Sequence, residues 1–408
     1  MAQVAIREYD AKKMFSEYSN TSYEGYLIES ESDFEVFKEK KQNTEKKWVI
    51  KPDQLFGKRG KYGLVGVNLD ALGIEKWWKE KNKTEKEIKE QIGTLHTFLI
   101  EPFVPHTREY YVAIKTERDH DVIYFSEEGG MEVEENWEKV QEFHIPLGNG
   151  INFSKEGFKN ICGIEDEKIM SFMASLYSFF IEYGFSYLEI NPFTFDIDGN
   201  VICLDMVARV DNTEAFKQKS HWRNLDFPHP FGPEKSEGEK YIEKLDSETG
   251  ASLKFRVLNP HGKIWLLTSG GGASVIIADT LGDLGYAQEI GNYGECSGNP
   301  DRENTRAYTN TLLSAMLEDG QSKKYLIIAG AIANFTHIDK TFSGIIDALT
   351  EHREALLGQQ VHILVRRGGI NDTAGLLLMK NACKELSIPC EIADGSVYMT
   401  DILSHIKF

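Results

Sequence analysis

Four runs of continuous apolar sequence constrain the carboxyl-terminal part of this 408-residue chain more than anything else in it: KIWLLT at 263–268, YLIIAG at 325–330, VHILV at 361–365 and PCEIA at 389–393. Each has strand length and lacks alternation, so both of its faces must be covered. Between them lie stretches with helical spacing near 273–285, 304–318, 338–352 and 373–386. Strands alternating with amphipathic helices fold into a doubly wound parallel sheet, whose ligands bind outside the carboxyl ends of the strands.

The segments expected at that edge carry anion chemistry. GGGASV (270–275) opens a helix directly after a strand, and Gly270–Gly272 permit close approach to its free N–H groups. A generic dinucleotide site is the competing reading, but the GxGxxG spacing is absent. NYGECSGNP (292–300), ANFTHI (333–338) and VRRGGIN (365–371) lie just past the expected strands or beside a helix start. Arg367 can grip a carboxylate with two parallel N–H bonds, while Arg366 points the opposite way if the strand persists. Read plainly, ANFT and RRGG are ordinary turns.

A chain this long divides into two or three domains. Residues 2–18 carry an opening helix signal, with Ile6, Tyr9, Met14 and Phe15 near one face. Strands are expected at Tyr26–Ile28, Trp48–Lys51, within Thr94–Pro102, and at Tyr110–Lys115 and Val122–Phe125, with a helix near Ser32–Lys41. Trp137–Leu147 reads as mixed. Ile169, Phe172, Met173, Leu176, Phe179, Phe180 and Tyr183 recur at helical spacing within Asp166–Tyr183, interrupted by Ser171, Ser175, Ser178 and Glu182. This is a core helix and not a membrane span. Asp211–Leu245, rich in Pro, His and charge, reads as the clearest linker.

Three stretches of this half point to nucleotide chemistry. WVIKPDQLFGKRGKYGLVGV (48–67) holds Lys51 at a strand end before a basic loop in which Gly57, Gly60 and Gly63 let backbone N–H groups approach phosphates. It is not a Walker loop, and its Gly-rich part alone also reads as a flexible hairpin. FLIEPFVPH (98–106) is a strand interrupted by Pro102 and Pro105, which leaves backbone groups open to a ligand edge such as adenine. Glu109, just beyond, can bond ribose hydroxyls; His106 reads as a turn residue. In YLEINPFTFDIDGNVICLDMVARVD (187–211), two strands flank an IDGN turn and carry Asn191 and Asp205. One amide and one carboxylate oxygen suit Mg²⁺, which takes its other ligands from water and phosphates. The plain alternative is an ordinary hairpin.

The formal charge of −18, without a basic stripe, argues against a nucleic-acid binder. Cys162, Cys203, Cys296, Cys383 and Cys390 show no CxxC spacing, and their odd number, with Cys203 in an apolar strand, points to reduced thiols in a cytoplasm. The amino terminus, MAQVAIREYDAKKMF, has no signal-peptide apolar core.

A strand lysine, a Gly-rich loop, a hinge strand and a metal-type hairpin, in this order, resemble the ATP-grasp family. Taken with GGGASV, ANFT and VRRGG, these motifs resemble the amino-terminal half of the ATP-citrate lyase family, related to the β subunit of succinyl-CoA synthetase. The resemblance covers nearly the whole chain. It implies an ATP-grasp fold followed by a flavodoxin-like domain: residues 1–20 and 104–240 form the ATP-grasp body with its Mg²⁺ hairpin, 21–103 the small subdomain, 241–261 a linker and possible cation loop, and 262–408 the citrate-binding domain. It assigns ATP phosphates to Lys51, Arg59 and Gly60, with Lys51 and Arg59 catalytic, adenine to the backbone at Pro102 and Val104, ribose to Glu109, and Mg²⁺ to Asn191 and Asp205. LDSETGASLKF (245–255) resembles a loop holding a second cation through Asp246, Thr249 and Ala251. Citrate falls to Gly272, Ala273, Ser274, Gly298, Asn334, Thr336 and Arg367.

The family passes phosphate from ATP to a histidine and then to citrate, giving citryl phosphate, which CoA attacks before cleavage to acetyl-CoA and oxaloacetate. No His here lies in a GHAGA-type loop, and a citrate-synthase-like cleavage domain is missing. The resemblance therefore implies a smaller subunit in a hetero-oligomer, inactive in the overall reaction without its partner. A larger subunit is expected to bring the phosphohistidine, most CoA contacts and the lyase site. Three rival functions stay open: the large subunit of citryl-CoA synthetase, a succinyl-CoA synthetase β-like ligase, and a non-catalytic citrate or nucleotide sensor.

Overall fold

In the computed structural model, residues 3–41, 44–89, 91–130, 133, 136–146, 164–321 and 323–408 are described; Leu147 and Cys162, used above, lie outside them. The chain separates into two compact units, one ending at Pro233 and the other running from Glu234 to Phe408.

The first unit opens with β1 (Gln3–Ile6) and α1 (Glu8–Tyr18). The continuous helix expected over residues 2–18 is thus corrected. Gln3–Ile6 instead pairs antiparallel with β13 (Met206–Asp211), because an edge of the main sheet is there to take up its backbone groups. A small sheet follows, from β2 (Tyr26–Ile28), α2 (Glu31–Lys41), β3 (Trp48–Pro52), β4 (Gly66–Leu69), α3 (Ala71–Lys81) and β7 (Phe98–Pro102), in the order β2-β7-β3-β4. β5 (Glu85–Ile88) and β6 (Gln91–Thr94) form a separate hairpin. Trp48, Ile50, Phe98 and Ile100 point into one core with Phe34, Phe37 and Ile74 of the two helices, and Phe34 stacks on Trp78 at 4.4 Å.

The main sheet of this unit comprises β8 (Tyr110–Thr116), β9 (His120–Ser126), β10 (Gln141–Pro146), β11 (Phe185–Phe195), β12 (Val201–Cys203) and β13, in the order β1-β13-β11-β8-β9-β10 with β12 also on β11. Helix α4 (Glu167–Glu182) covers one face. Its start is capped by the Asp166 side chain, which accepts from the Lys168 and Ile169 amides. Phe172, Leu176, Phe179 and Phe180 form a buried core with Leu188, Ile190 and Phe193 of β11, each worth about 1.5–3 kcal/mol of apolar burial. The linker expected over Asp211–Leu245 does contain the division between the two units, at Pro233, but only part of it is irregular chain. Its first part holds α5 (Lys219–Trp222), and buried Trp222 donates Nε1–H to Tyr183 O at 2.9 Å.

The second unit begins with α6 (Glu237–Glu248) and β14 (Ser252–Val257), so residues 241–261 are helix and strand, not linker. A capping box between Ser236 and Glu239 starts the helix, and its Ile242 is buried in the main core of this unit. The parallel strands are β15 (Ile264–Ser269), β17 (Tyr325–His337), β18 (His362–Ile370) and β19 (Cys390–Ala393), in that order. β16 (Asn292–Ser297) pairs antiparallel with β14 and lies beside β15. There the Asn292 side chain stands in for ladder bonds: Oδ1 accepts from Leu266 N at 2.7 Å and Nδ2 donates to Leu266 O at 3.0 Å. The helices α7 (Gly271–Asp283), α8 (Arg302–Leu317), α9 (Ile338–Glu351), α10 (Arg353–Gly358) and α11 (Asp372–Leu386) fill the connections. This is the doubly wound, flavodoxin-like sheet that the apolar runs imply. Among the described residues, no helix is long and apolar enough to cross a membrane.

Candidate functional site

In the first unit, strand β3 carries Lys51 into a buried cluster of charges. Lys51 Nζ lies 2.6 Å from Glu8 Oε1, 2.7 Å from Leu204 O, 3.6 Å from Glu101 Oε2 and 4.0 Å from Asp205 Oδ1. Arg59, from the basic loop, is 6% exposed. Its Nη1 donates to Pro52 O at 2.8 Å and its Nη2 to Glu8 Oε2 at 2.7 Å, with a short ion pair to Asp205. Lys12 Nζ sits 2.7 Å from Glu8 Oε1 and 2.8 Å from Glu101 Oε2, and Tyr23 donates its hydroxyl to Glu101 Oε1 at 2.9 Å. Cations and carboxylates thus alternate through a largely buried cluster, the condition under which buried charge is tolerated.

The titration behaviour follows. Burial alone raises the Glu8 carboxyl, but Lys12, Lys51 and Arg59 hold it well below the usual carboxylate range. Asp205 is raised by burial, with Arg59 opposing and Glu8 adding to the rise. Burial, then Glu8, push Asp53 up to about 6, against Arg59 and two backbone amides. Burial works against charge on Arg59, yet Asp205, Glu8 and Asp53 raise its pKa further. The neighbouring Gly57, Lys58, Gly60, Lys61 and Gly63 are all exposed, so this loop offers backbone and charge to solvent beside the buried Arg59.

At the end of β7, His106 links two residues expected at the nucleotide edge. Its ring nitrogens lie 2.7 Å from Val104 O and 3.0 Å from Glu109 Oε1. Burial alone lowers its pKa, but Glu109 and the Val104 carbonyl raise it. Pro102 pairs with Trp48 in the small sheet. On the main sheet, Asn191 N donates to Asp205 O at 3.1 Å, which sets the two expected metal residues opposite each other. Asn191 Oδ1 accepts from Gly130 N at 2.8 Å and keeps a second lone pair. Among the described residues no cluster of three or more His, Cys, Asp or Glu could hold a metal ion. One amide oxygen and one carboxylate still fit Mg²⁺ carried mainly by phosphates and water.

In the second unit the loop after α6 has already spent its carboxylate. Asp246 Oδ1 accepts from Leu253 N at 2.7 Å and its Oδ2 pairs with Lys254 Nζ. Lys254 thus lies beside the carboxylate of the loop expected to hold a second cation with Thr249 and Ala251.

The expected anion residues gather at the carboxyl edge of the parallel sheet. Ser269 at the end of β15 is in register with Gly330 on β17, and Gly330 lies against the Arg367 guanidinium. Ser274 itself faces inward: its Oγ bonds Thr268 Oγ1 at 2.7 Å and its N–H returns to Gly270 O at 2.9 Å. The first-turn amides of Gly271, Gly272 and Ala273 precede it at the helix start. Gly298 adopts φ +77° and packs against the chain at Ala251 and Ser252. Asn334 is exposed on the extended end of β17, and Thr336 is buried.

The two adjacent arginines diverge. Arg366 satisfies its guanidinium on three carbonyls, Gly330 O, Val397 O and Gly395 O, at 2.8–3.1 Å. Among the described residues Arg367, 2% exposed, bonds only Ala331 O at 3.3 Å and leaves Nη2 buried without a partner. Among the described residues it has no acidic partner. Burial pulls its pKa down to about 10. A buried guanidinium in this condition has a donor free for an anion.

Glu8, Lys12, Tyr23, Asp53 and Glu101 of the first site, and Gly330 of the second, are not legible as site residues from local pattern. The one available signal is Glu8 and Lys12, an i,i+4 charge pair on the same face as Ala11 and Met14 of α1.

Comparison with known proteins places both units. The family model for the ATP-citrate synthase ATP-grasp domain matches residues 2–222, and that for the ATP citrate lyase citrate-binding domain matches residues 233–406. The chain is 42% identical over 418 residues to ATP-citrate synthase alpha chain protein 2 of Oryza sativa subsp. japonica, covering 98% of this chain and 97% of the rice protein. It is 42% identical over 363 residues to ATP-citrate synthase of Homo sapiens, covering 87% of this chain but 33% of that longer protein. A solved structure of ATP citrate lyase from Methanothrix soehngenii, in complex with citrate and coenzyme A, superposes with a TM-score of 0.87 at 42% identity and covers 98% of both chains. With its ATP-grasp unit followed by a citrate-binding unit, the chain belongs to the ATP-citrate synthase (ATP citrate lyase) family.

Proposed function

We propose that this chain is the smaller subunit of a two-subunit ATP-citrate lyase, binding Mg-ATP in its first unit and citrate in its second. The observation that carries the reading is Arg367, a buried guanidinium with an unpartnered Nη2 in a citrate-binding family domain. Its planar fork suits a carboxylate better than a point charge does. The first-turn amides of α7 and the residues Gly298, Asn334 and Thr336 supply neutral donors and shape for the remaining groups of a tricarboxylate.

In the first unit, Lys51 and Arg59 bind the phosphates, and Gly60 lets the loop backbone approach them. The Val104 backbone and Glu109 hold the nucleoside end. Asn191 and Asp205 would hold Mg²⁺, which when bound neutralises phosphate charge. Catalysis by these residues is positioning and electrostatic stabilisation, since phosphoryl transfer leaves little covalent work for the protein. The γ-phosphoryl leaves ATP for a histidine of a larger partner subunit and passes from there to citrate. CoA then displaces phosphate from citryl phosphate, and the partner cleaves citryl-CoA to acetyl-CoA and oxaloacetate. The rice ATP-citrate synthase alpha chain, matched over 97% of its length, supports the separate-subunit reading, whereas the human protein carries the matching region within a longer chain.

Calorimetry of the isolated chain with citrate, succinate and Mg-ATP tests the reading. Citrate and Mg-ATP should bind, succinate should bind far more weakly, and no acetyl-CoA should form from citrate, ATP and CoA until the partner is added. Preference for succinate, or oxaloacetate release by the isolated chain, would overturn it.

A further inference from the structure

Glu8 is 3% exposed on the first turn of α1, and no motif above contains it. Its carboxylate is shared among three cations: Oε1 takes Lys51 Nζ at 2.6 Å and Lys12 Nζ at 2.7 Å, and Oε2 takes Arg59 Nη2 at 2.7 Å. The turn that carries it is not free to drift. Arg7, at the helix N-cap, makes no side-chain cap bond; Asp53 does that work from the far side of the cluster, accepting from Glu8 N at 2.9 Å and Tyr9 N at 3.0 Å. Asp53 follows Lys51 by two residues. The strand end presenting Lys51 therefore also fixes the helix turn presenting Glu8, and Glu8 closes the circuit on Lys51.

We propose that Glu8 is a positioning residue of the nucleotide site, holding Lys51 and Arg59 at a fixed separation so that both address the same transferring phosphoryl group. The inference rests on the ATP reading above. Lysine and arginine side chains each carry about 2 kcal/mol of rotamer entropy. A rigid carboxylate common to both removes that freedom before the phosphate arrives. A negative charge behind two phosphate-binding cations also weakens their attraction for a bound polyanion. Glu8 therefore acts on ground-state affinity and on orientation in opposite directions, and this opposition makes its role measurable.

Glu8→Gln keeps the volume and one carbonyl acceptor but removes the charge. Mg-ATP affinity of the chain, read by calorimetry, should stay within roughly twofold of the wild type or tighten. Phosphorylation of the partner histidine in the assembled enzyme should slow on the order of tenfold to a hundredfold. Glu8→Asp, with the charge on a stem one methylene shorter, should recover part of the rate at unchanged affinity. A purely packing role predicts instead that affinity, rate and thermal midpoint fall together. That result, or a wild-type rate in Glu8→Gln, overturns the proposal. If Glu8→Gln does not fold, Glu8→Asp decides: a wild-type rate overturns the proposal and a slowed rate at unchanged affinity supports it. A wild-type chain that binds no Mg-ATP removes the ATP reading, and the Glu8 assignment with it.

Discussion

Gly330 and Arg367 are matched across neighbouring strands: a Cβ on Gly330 would stand 2.2 Å from Arg367 Nη1 and 2.6 Å from Ser269 O. The missing side chain on β17 is thus the space in which the guanidinium lies. The Ser269 carbonyl is backbone and cannot give, so the guanidinium, the far end of a flexible side chain, must move. Gly330→Ala should expel the guanidinium and lower citrate affinity at least about tenfold, because a charge-assisted pair is worth roughly 1.5–3 kcal/mol. Citrate titration checks this, with Mg-ATP titration of the same sample as the control for folding of the other unit.

Arg367→Lys keeps the positive charge and loses the fork. If the guanidinium takes a citrate carboxylate through two N–H bonds, affinity should again fall about tenfold or more. Mg-ATP binding should hardly move, because Lys51, Arg59 and Asp205 belong to the first unit. Unchanged citrate affinity in a folded variant would remove Arg367 from the site.

Asp205→Asn should reduce Mg²⁺-dependent phosphorylation of the partner histidine far more than it reduces citrate binding. The substitution removes a half-buried carboxylate that Arg59 and Lys51 both address. Loss of transition-state charge stabilisation of several kcal/mol is the scale expected. Phosphotransfer and citrate calorimetry falling equally would contradict the division of labour between the two units.

Asp53 gives a pH signature of defined sign. Its carboxyl rises from the usual 3.8 to about 6 in the folded chain, by burial and the nearby Glu8 charge. The folded state then holds the proton more tightly than the unfolded state, so stability falls as pH climbs from about 3.8 to about 6, where both states have ionised. Asp53→Asn does not titrate. The stability difference between wild type and Asp53→Asn should therefore move against the wild type across that window, by up to about 3 kcal/mol. Urea unfolding at several pH values reads it, and parallel curves for the two proteins would refute the assignment.

The sequence by itself determined the four parallel strands of the second unit and the longer helices between them, because an unbroken apolar run and a helical stripe are each written in contiguous residues. Lys51 at a strand end, Asn191 and Asp205 around a turn, and the Gly-rich start of α7 were legible for the same reason, as local chemistry in local order. The Ser236–Glu239 capping box was local too, yet the surrounding charge and prolines of FPHPFGPEKSEGEK read as linker, and only the burial of Ile242 shows the helix to be part of the core. Tertiary structure decided which charges meet. Glu8 reaches Lys51 across 43 residues and Arg59 across 51, and Arg59 reaches Asp205 across 146. No periodicity records such pairings, because burying a charge depends on partners delivered by other elements. The same holds for Arg366 and Arg367: adjacent and identical in sequence, one finds three carbonyls and the other is left with an open donor, because alternate residues of a strand face opposite sides of the sheet.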